Sequence, residues 1–424
     1  MLARLATSPA LPDAPRLTLF VVLVFVAVYV GMALGRWPGL GLDRTGIALI
    51  GGIGLGLAGA VTPDAALAAI DFPTLFVLFG LMILSARFAE SGFYDWCVAR
   101  IAAARTGPAA LLALTVGVTG VLAAVLSNDV VVFAMTPLLC LGLQARGLDP
   151  RPFLIALAGA ANAGSAATMI GNPQNILIGQ SGRLDFFDFL LACGPPALAS
   201  LAIVHVTVLL VWRGRWFVAS EGGPVAPRID RAELAWAGLA TLALLALFAS
   251  PLPQAESVLI IGGLMLLSRN LATRTILGLV DWSLLVLFAG LFVVTAAFSE
   301  TGLPAAAVGW LAANGLPIAD PLVLTTLAVG GSNTVGNVPA VMLFLRVVPD
   351  AGPGLLYALA LLSTLAGNLL LVGSLANIIV AERAAAVGVR LSFRTHAACG
   401  IPMTLASLVL ALLWLVGLGY LPGP

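Results

Sequence analysis

DFPTLFVLFGLMILSARFAESG at residues 71–92 and DWSLLVLFAGLFVVTAAFSETG at residues 281–302 align without a gap at a spacing of 210 positions, with 8 identities in 22. Two apolar helices converge in composition, but convergence does not readily give a shared Asp at one end and Glu-x-Gly at the other. The pair therefore reads as a duplication. Each copy carries the run of about 20 apolar residues that crosses a hydrocarbon core as a helix. Two related membrane-spanning halves are expected.

Composition agrees. Of the 424 residues, 61% are hydrophobic and 9% charged, against roughly 25% charged in soluble domains. A water-soluble fold is excluded. All 20 basic residues are arginine and the net charge is only +1, a balance that argues against a nucleic-acid partner. Cys97, Cys140, Cys193 and Cys399 show no CxxC spacing, so they suggest neither a zinc site nor a disulfide framework. No Walker A sequence indicates direct drive by ATP, and no motif points to an enzyme or a bound cofactor. The apolar run from Leu17 to Leu34 is too long for a signal h-region and reads as the first span.

Hydropathy gives ten crossings, near 17–35, 45–62, 72–89, 152–179, 189–212, 232–250, 256–268, 282–299, 355–381 and 398–420. Two apolar stretches remain, 108–145 and 321–348. If each enters and leaves on the same side, 16 arginines fall on one side: 36, 44, 87, 100, 105, 146, 151, 213, 215, 228, 231, 269, 274, 383, 390 and 394. Only Arg4, Arg16, Arg183 and Arg346 fall on the other. A single crossing at either stretch would flip everything downstream and spoil this positive-inside asymmetry. Both termini are then expected outside and the central loop 213–231 in the cytoplasm. Parity leaves 108–145 as either two full spans or a re-entrant hairpin; analogy with 321–348, too short for two spans, favours hairpins.

The expected fold is thus all-α, with two inverted repeats, 1–212 and 232–424, joined by the linker 213–231. Each repeat holds a hairpin (108–145, 321–348) and a span interrupted by Gly and Asn (152–179, 355–381). In secondary transporters built this way the site lies near the midplane at the broken helices.

Ser127, Asn128 and Asp129 sit mid-run in the first hairpin, where an ionised carboxylate is costly unless hydrated, paired or bound to a cation. Asp129 either ligands sodium through hard oxygen or takes up a proton; in a short solvated loop it would simply be wet. Gly171, Asn172, Pro173, Gln174 and Asn175 combine flexibility, a missing hydrogen bond and amides in an apolar helix. Unwinding there frees carbonyls for a cation and exposes a helix N-terminus to an anion. The second half offers Ser332, Asn333, Thr334 and Asn337 before Pro339, then Gly373, Ser374 and Asn377, with Asn368 earlier. This set is uncharged. His205 and His396 read as packing or interfacial residues.

At these motifs the chain resembles the ion transporter superfamily, specifically the citrate-transporter-like permeases that include divalent-anion:sodium symporters and arsenite and sodium/proton antiporter permeases. Ser332-Asn333-Thr334 is similar to the hairpin-tip signature of sodium-coupled dicarboxylate carriers. Asn128-Asp129 with Thr136-Pro137, Asn337-Val338-Pro339 and Gly373-Ser374-Leu375-Ala376 are closer to the arsenite-permease pattern. The resemblance implies a sodium or proton site beside each hairpin, with Ser127, Asn128, Asn175, Ser332, Asn333 and Asn377 as candidate sodium ligands. It also implies a small anion between the tips, an elevator motion, and the homodimer common among the dicarboxylate carriers. Location in a bacterial inner membrane is expected, with arsenite efflux or sodium/proton antiport as the alternative activity.

Overall fold

The computed structural model describes residues 14–217, 229–267 and 271–423. Arg4, Arg228, Arg269 and most of the 213–231 linker lie outside the described residues. Among the described residues there is no strand, only helices and two isolated β-bridges.

The helices follow one succession twice. The first passage runs α1 (Ala14–Leu34), α2 (Arg44–Leu57), α3 (Pro63–Ala69), α4 (Phe72–Glu90), α5 (Phe93–Ala103), α6 (Pro108–Val125), α7 (Asn128–Gln144), α8 (Pro150–Ser165), α9 (Pro173–Gly182) and α10 (Phe186–Val211). The second runs α11 (Arg231–Phe248), α12 (Gln254–Leu266), α13 (Thr273–Gly278), α14 (Trp282–Glu300), α15 (Leu303–Ala313), α16 (Pro321–Thr334), α17 (Asn337–Val347), α18 (Pro353–Ala366), α19 (Leu375–Ala386) and α20 (Phe393–Gly417). A short 3-10 turn, Leu371–Gly373, precedes α19.

Local chemistry sets these boundaries. Proline opens α6, α8, α9, α16 and α18, where its missing N–H is no loss. Asp43, Asp185, Asp230 and Asp320 cap helix N-termini with their carboxylates. The glycines of the two Glu-x-Gly sequences, Gly92 and Gly302, both adopt a left-handed conformation, at φ 74° and 75°. They turn the chain from a long helix into an 11-residue connector, α5 or α15, so the shared glycine is a backbone requirement.

Among the described residues, seven helices are long and apolar enough to cross a membrane: α1, α4, α6, α10, α11, α14 and α20. The expected spans at 45–62 and 256–268 are shorter, with α2 and α12 at 14 and 13 residues, about 20 Å each. The spans at 152–179 and 355–381 are each broken into two helices. The hairpins differ in size: α6 and α7 have 18 and 17 residues, whereas α16 and α17 have 14 and 11.

The fold divides into two compact units. One contains α1–α3 with α14 and α15. There Phe25 stacks on Phe298 at 3.7 Å, and a Cβ on Gly290 would lie 2.9 Å from the Ala48 carbonyl. The other contains the remaining helices, and in it a Cβ on Gly80 would lie 2.8 Å from the Val258 carbonyl oxygen. Gly80 and Val258 stand 210 positions from Gly290 and Ala48, so the same close backbone approach occurs once in each unit. Within the second unit Arg87 is fully buried and bonded to Glu233 at 2.6 Å and to the Met265 carbonyl at 2.8 Å. It fastens α4 to α11 and α12.

In this second unit α8 and α18 are buried around nearly their whole circumference, while α10 and α20 expose leucines such as Leu191, Leu198 and Leu413. The inner helices are therefore the interrupted ones. Small residues permit this: a Cβ on Gly164 would collide with the backbone of Gly120, so α8 lies directly against α6.

Candidate functional site

The breaks between α8 and α9 and between α18 and α19 free carbonyls that no helix satisfies, and the same residue type repairs both. Asn175 Nδ2 donates to Ser165 O (3.2 Å) and Thr168 O (3.0 Å). Asn377 Nδ2 donates to Gly367 O (2.8 Å) and Leu370 O (3.1 Å). Every partner is displaced by 202 positions. The N-caps correspond at the same spacing: Asn172 Oδ1 accepts from Asn175 N at 2.9 Å, and Ser374 Oγ accepts from Ala376 N at 3.2 Å. Pro173 occupies the first helical position of α9, and Gly373 closes the 3-10 turn before Ser374.

The two breaks also hold each other. Asn162 of α8 donates to Asn377 Oδ1 at 3.1 Å, and Thr364 of α18 donates to Asn175 Oδ1 at 3.3 Å. Ser374 Oγ donates to Asn162 Oδ1 at 2.9 Å, and Asn172 Nδ2 donates to Thr364 Oγ1 at 3.3 Å. These bonds too are related by 202 positions, each residue reaching into the other half. The result is a buried cluster of amides and hydroxyls with local twofold character. Asn368 departs from it: its Oδ1 accepts from Asn162 Nδ2 at 2.8 Å, and its carbonyl meets His396 Nε2 at 3.2 Å. His396 is thus buried and bonded to the second break, a more specific position than packing alone.

The hairpins dock against these breaks. On the first, Asn128 N donates to Gly171 O at 3.1 Å and Thr168 Oγ1 to Ala124 O at 2.5 Å. On the second, Asn333 Nδ2 donates to Ala366 O at 2.9 Å and Ser332 Oγ to Ser363 O at 3.2 Å. The return helix of each hairpin packs on the distal helix of the other half, α7 on α19 and α17 on α9.

The Ser-Asn pairs are not equivalent in the fold. Ser127 is the N-cap of α7, with Asn128 and half-buried Asp129 in its first turn, where the helix dipole favours an acid. Ser332, Asn333 and Thr334 instead end α16, and the turn follows at Gly336 with φ 97°. Asn337 therefore takes the helix-start position that Asn128 holds in the first hairpin. Three side-chain oxygens at the tips, Asn128 Oδ1, Asn333 Oδ1 and Asn337 Oδ1, are buried without a hydrogen-bond partner. Buried acceptors left this way are uncommon.

Sequence reasoning missed Asn162, Ser165 and Thr364. Each is a polar residue inside an apolar helix, the signal that marks function or helix association in membranes, but none lies in a Gly-Pro or Ser-Asn motif.

A polytopic helical fold whose interrupted helices meet in a buried polar cluster flanked by hairpins is that of a membrane transporter. The chain belongs to the citrate transporter family CitMHS, whose model matches residues 21–354. It is 30% identical over 436 residues to the uncharacterized transporter MT2759 of Mycobacterium tuberculosis, covering 94% of this chain and 98% of that one. It is 28% identical to the silicon efflux transporter LSI3 of Oryza sativa subsp. japonica, covering 87% and 91% of the two chains. In fold it is similar to the solved YdaH transporter of Alcanivorax borkumensis, with a TM-score of 0.55, 18% identity, and coverage of 97% and 100%.

Proposed function

We propose that this protein is a secondary active transporter that couples movement of a small oxyanion to sodium or protons. The observation that carries the reading is the set of orphaned amide oxygens at the hairpin tips, Asn128, Asn333 and Asn337. Neutral hard oxygens buried without a donor match the ligand preference of an alkali cation. The sodium is cargo here, held beside the hairpins by those oxygens together with Ser127 and Ser332, while Asn175 and Asn377 keep the breaks open for it. The N-termini of α9 and α19, capped by Asn172 and Ser374, attract the anion through the positive ends of their helix dipoles. Asn337 and Thr334 line its approach from the second hairpin, and Asp129 accepts a proton or completes the first cation site.

The two halves are proposed to be inverted repeats. Support comes from the repeated helix order, the 210-spaced glycine contacts, the 202-spaced hydrogen bonds and the arginine asymmetry of 16 against four. With α8, α9, α18 and α19 interlocked, hairpins and breaks would move as one body, as an elevator requires. Further parts of the proposal are a bacterial plasma membrane, termini outside, the central loop in the cytoplasm and a homodimer.

A second reading, export of a small oxyacid in exchange for protons, is favoured by the likeness to a transporter named for silicon efflux and by the uncharged donors of the cluster. Thermal-shift measurements on purified protein, with oxyanions and weak oxyacids in sodium or choline buffer, separate the two. Stabilisation that requires sodium and disappears in Asn128→Ala and Asn333→Ala supports the first reading. Sodium-independent stabilisation by an uncharged oxyacid supports the second. No response to any solute overturns both.

A further inference from the structure

Away from the central cluster, the first turn of α8, the end of α10 and the first turn of α20 enclose a cleft of about 610 Å³. Asp149, Arg151, Trp212, Arg215, Arg394 and Thr395 are among its lining residues. We propose that it binds a phosphate ester, with the headgroup of an anionic phospholipid as the occupant.

The charges favour this. Asp149 is committed to Arg151 at 2.6 Å, whereas Arg215 and Arg394 make no ion pair among the described residues. Three guanidiniums therefore face one carboxylate. Two of them, Arg151 and Arg215, lie over the same Trp212 ring at 5.5 and 5.2 Å from its centroid. An anion bound in the cleft offsets the excess positive charge of these guanidiniums. Arginine is the residue that meets phosphate oxygens with a planar fork of donors. The N-terminal ends of α8 and α20 both open here, and their dipoles add to the positive potential.

Architecture points to a lipid rather than a dissolved anion. Phe217 lines the cleft and is 73% exposed, and Phe393, at the start of α20, is 50% exposed. An apolar rim beside a basic cleft suits acyl chains below a phosphate. Arg151, Arg215 and Arg394 all belong to the arginine-rich side, the side on which membranes present anionic headgroups to basic pockets between helices. The loop is tied down, since Asp149 N donates to Trp216 O at 2.8 Å, so the cleft is preformed.

The test uses the full-length protein in nanodiscs or detergent, with native mass spectrometry and thermal shift as readouts. Phosphatidylglycerol, phosphatidylcholine and inorganic phosphate are the probes, with wild type compared against Arg215→Gln/Arg394→Gln and the corresponding Lys pair. Both arginines are exposed, so folding should tolerate the change. Phosphatidylglycerol is expected to be retained and to stabilise wild type. The Gln pair should bind about 30-fold more weakly, at about 1 kcal/mol per removed charge, with partial recovery in the Lys pair. An equal response to inorganic phosphate that the Gln pair abolishes would keep the site but make its occupant a soluble anion. Equal binding of phosphatidylglycerol by wild type and the Gln pair, or no preference over phosphatidylcholine, overturns the proposal. These readouts involve no transport, so they stand apart from the function proposed above.

Discussion

Asn377→Ala probes the interlock between the two breaks. The side chain donates to Gly367 O and Leu370 O and accepts from Asn162. Asn162 keeps its 2.8 Å bond to Asn368 Oδ1, so the main loss falls on the two carbonyls. In a soluble core each stranded group costs about 1–3 kcal/mol. Between membrane helices the mean is nearer 0.6 kcal/mol, because the unfolded chain in lipid also finds partners. The carbonyls here sit in a stretch with no helix to rejoin, Gly367 buried and Leu370 partly buried, which puts the total at about 2–4 kcal/mol. Asn175→Ala removes the 202-spaced counterpart bonds to Ser165 O and Thr168 O and should match it to within about 1 kcal/mol. Asn377→Asp keeps the volume but turns an acceptor toward both carbonyls, so it should destabilise at least as much, which separates lost hydrogen bonding from a cavity. Equilibrium unfolding in mixed detergent–lipid micelles, followed by tryptophan fluorescence, measures all three. A loss below about 0.5 kcal/mol in either alanine variant would refute the reasoning.

Arg87→Met leaves Glu233 buried beside an unpaired Met265 carbonyl and should cost about 3–5 kcal/mol, more than Arg87→Met/Glu233→Leu, as read from folded yield and unfolding midpoint. Gly80→Val and Gly290→Val should each reduce folded protein severalfold on size exclusion, since each pushes a branched side chain into facing backbone, whereas Gly54→Val, with open space around it, should not. For orientation, the native cysteines are all buried, so single exposed replacements report cleanly. Thr106→Cys and Asn314→Cys follow the corresponding connectors α5 and α15; an impermeant maleimide should label Asn314→Cys in intact cells and Thr106→Cys only after lysis. Labelling of both from one side would exclude inversion.

The helical membrane fold was open to sequence reasoning because apolar run length acts residue by residue. Gly92 and Gly302 were visible as identities, and their left-handed turns supply the physical reason. The breaks at Gly171 and Gly373 were legible because Gly, Pro and Asn interrupt helices by backbone chemistry alone. Asn162 and Thr364 were not, because their role depends on contacts about 200 positions away, which no local pattern encodes. The offset between Ser127-Asn128 and Ser332-Asn333 was hidden for a related reason. Identical dipeptides suggested equivalent tips, but Gly336 delays the second turn, so Asn337 starts the return helix.

Reconstitution into proteoliposomes addresses the central claim, coupled transport, most directly. The radiolabelled oxyanion that stabilises the purified protein most would be offered outside, with an inward sodium or proton gradient imposed. The account predicts accumulation above the external concentration, collapse when the gradient is dissipated, and loss of accumulation in Asn128→Ala/Asn333→Ala. Flux that only equalises the two sides, whatever gradient is present, would contradict it.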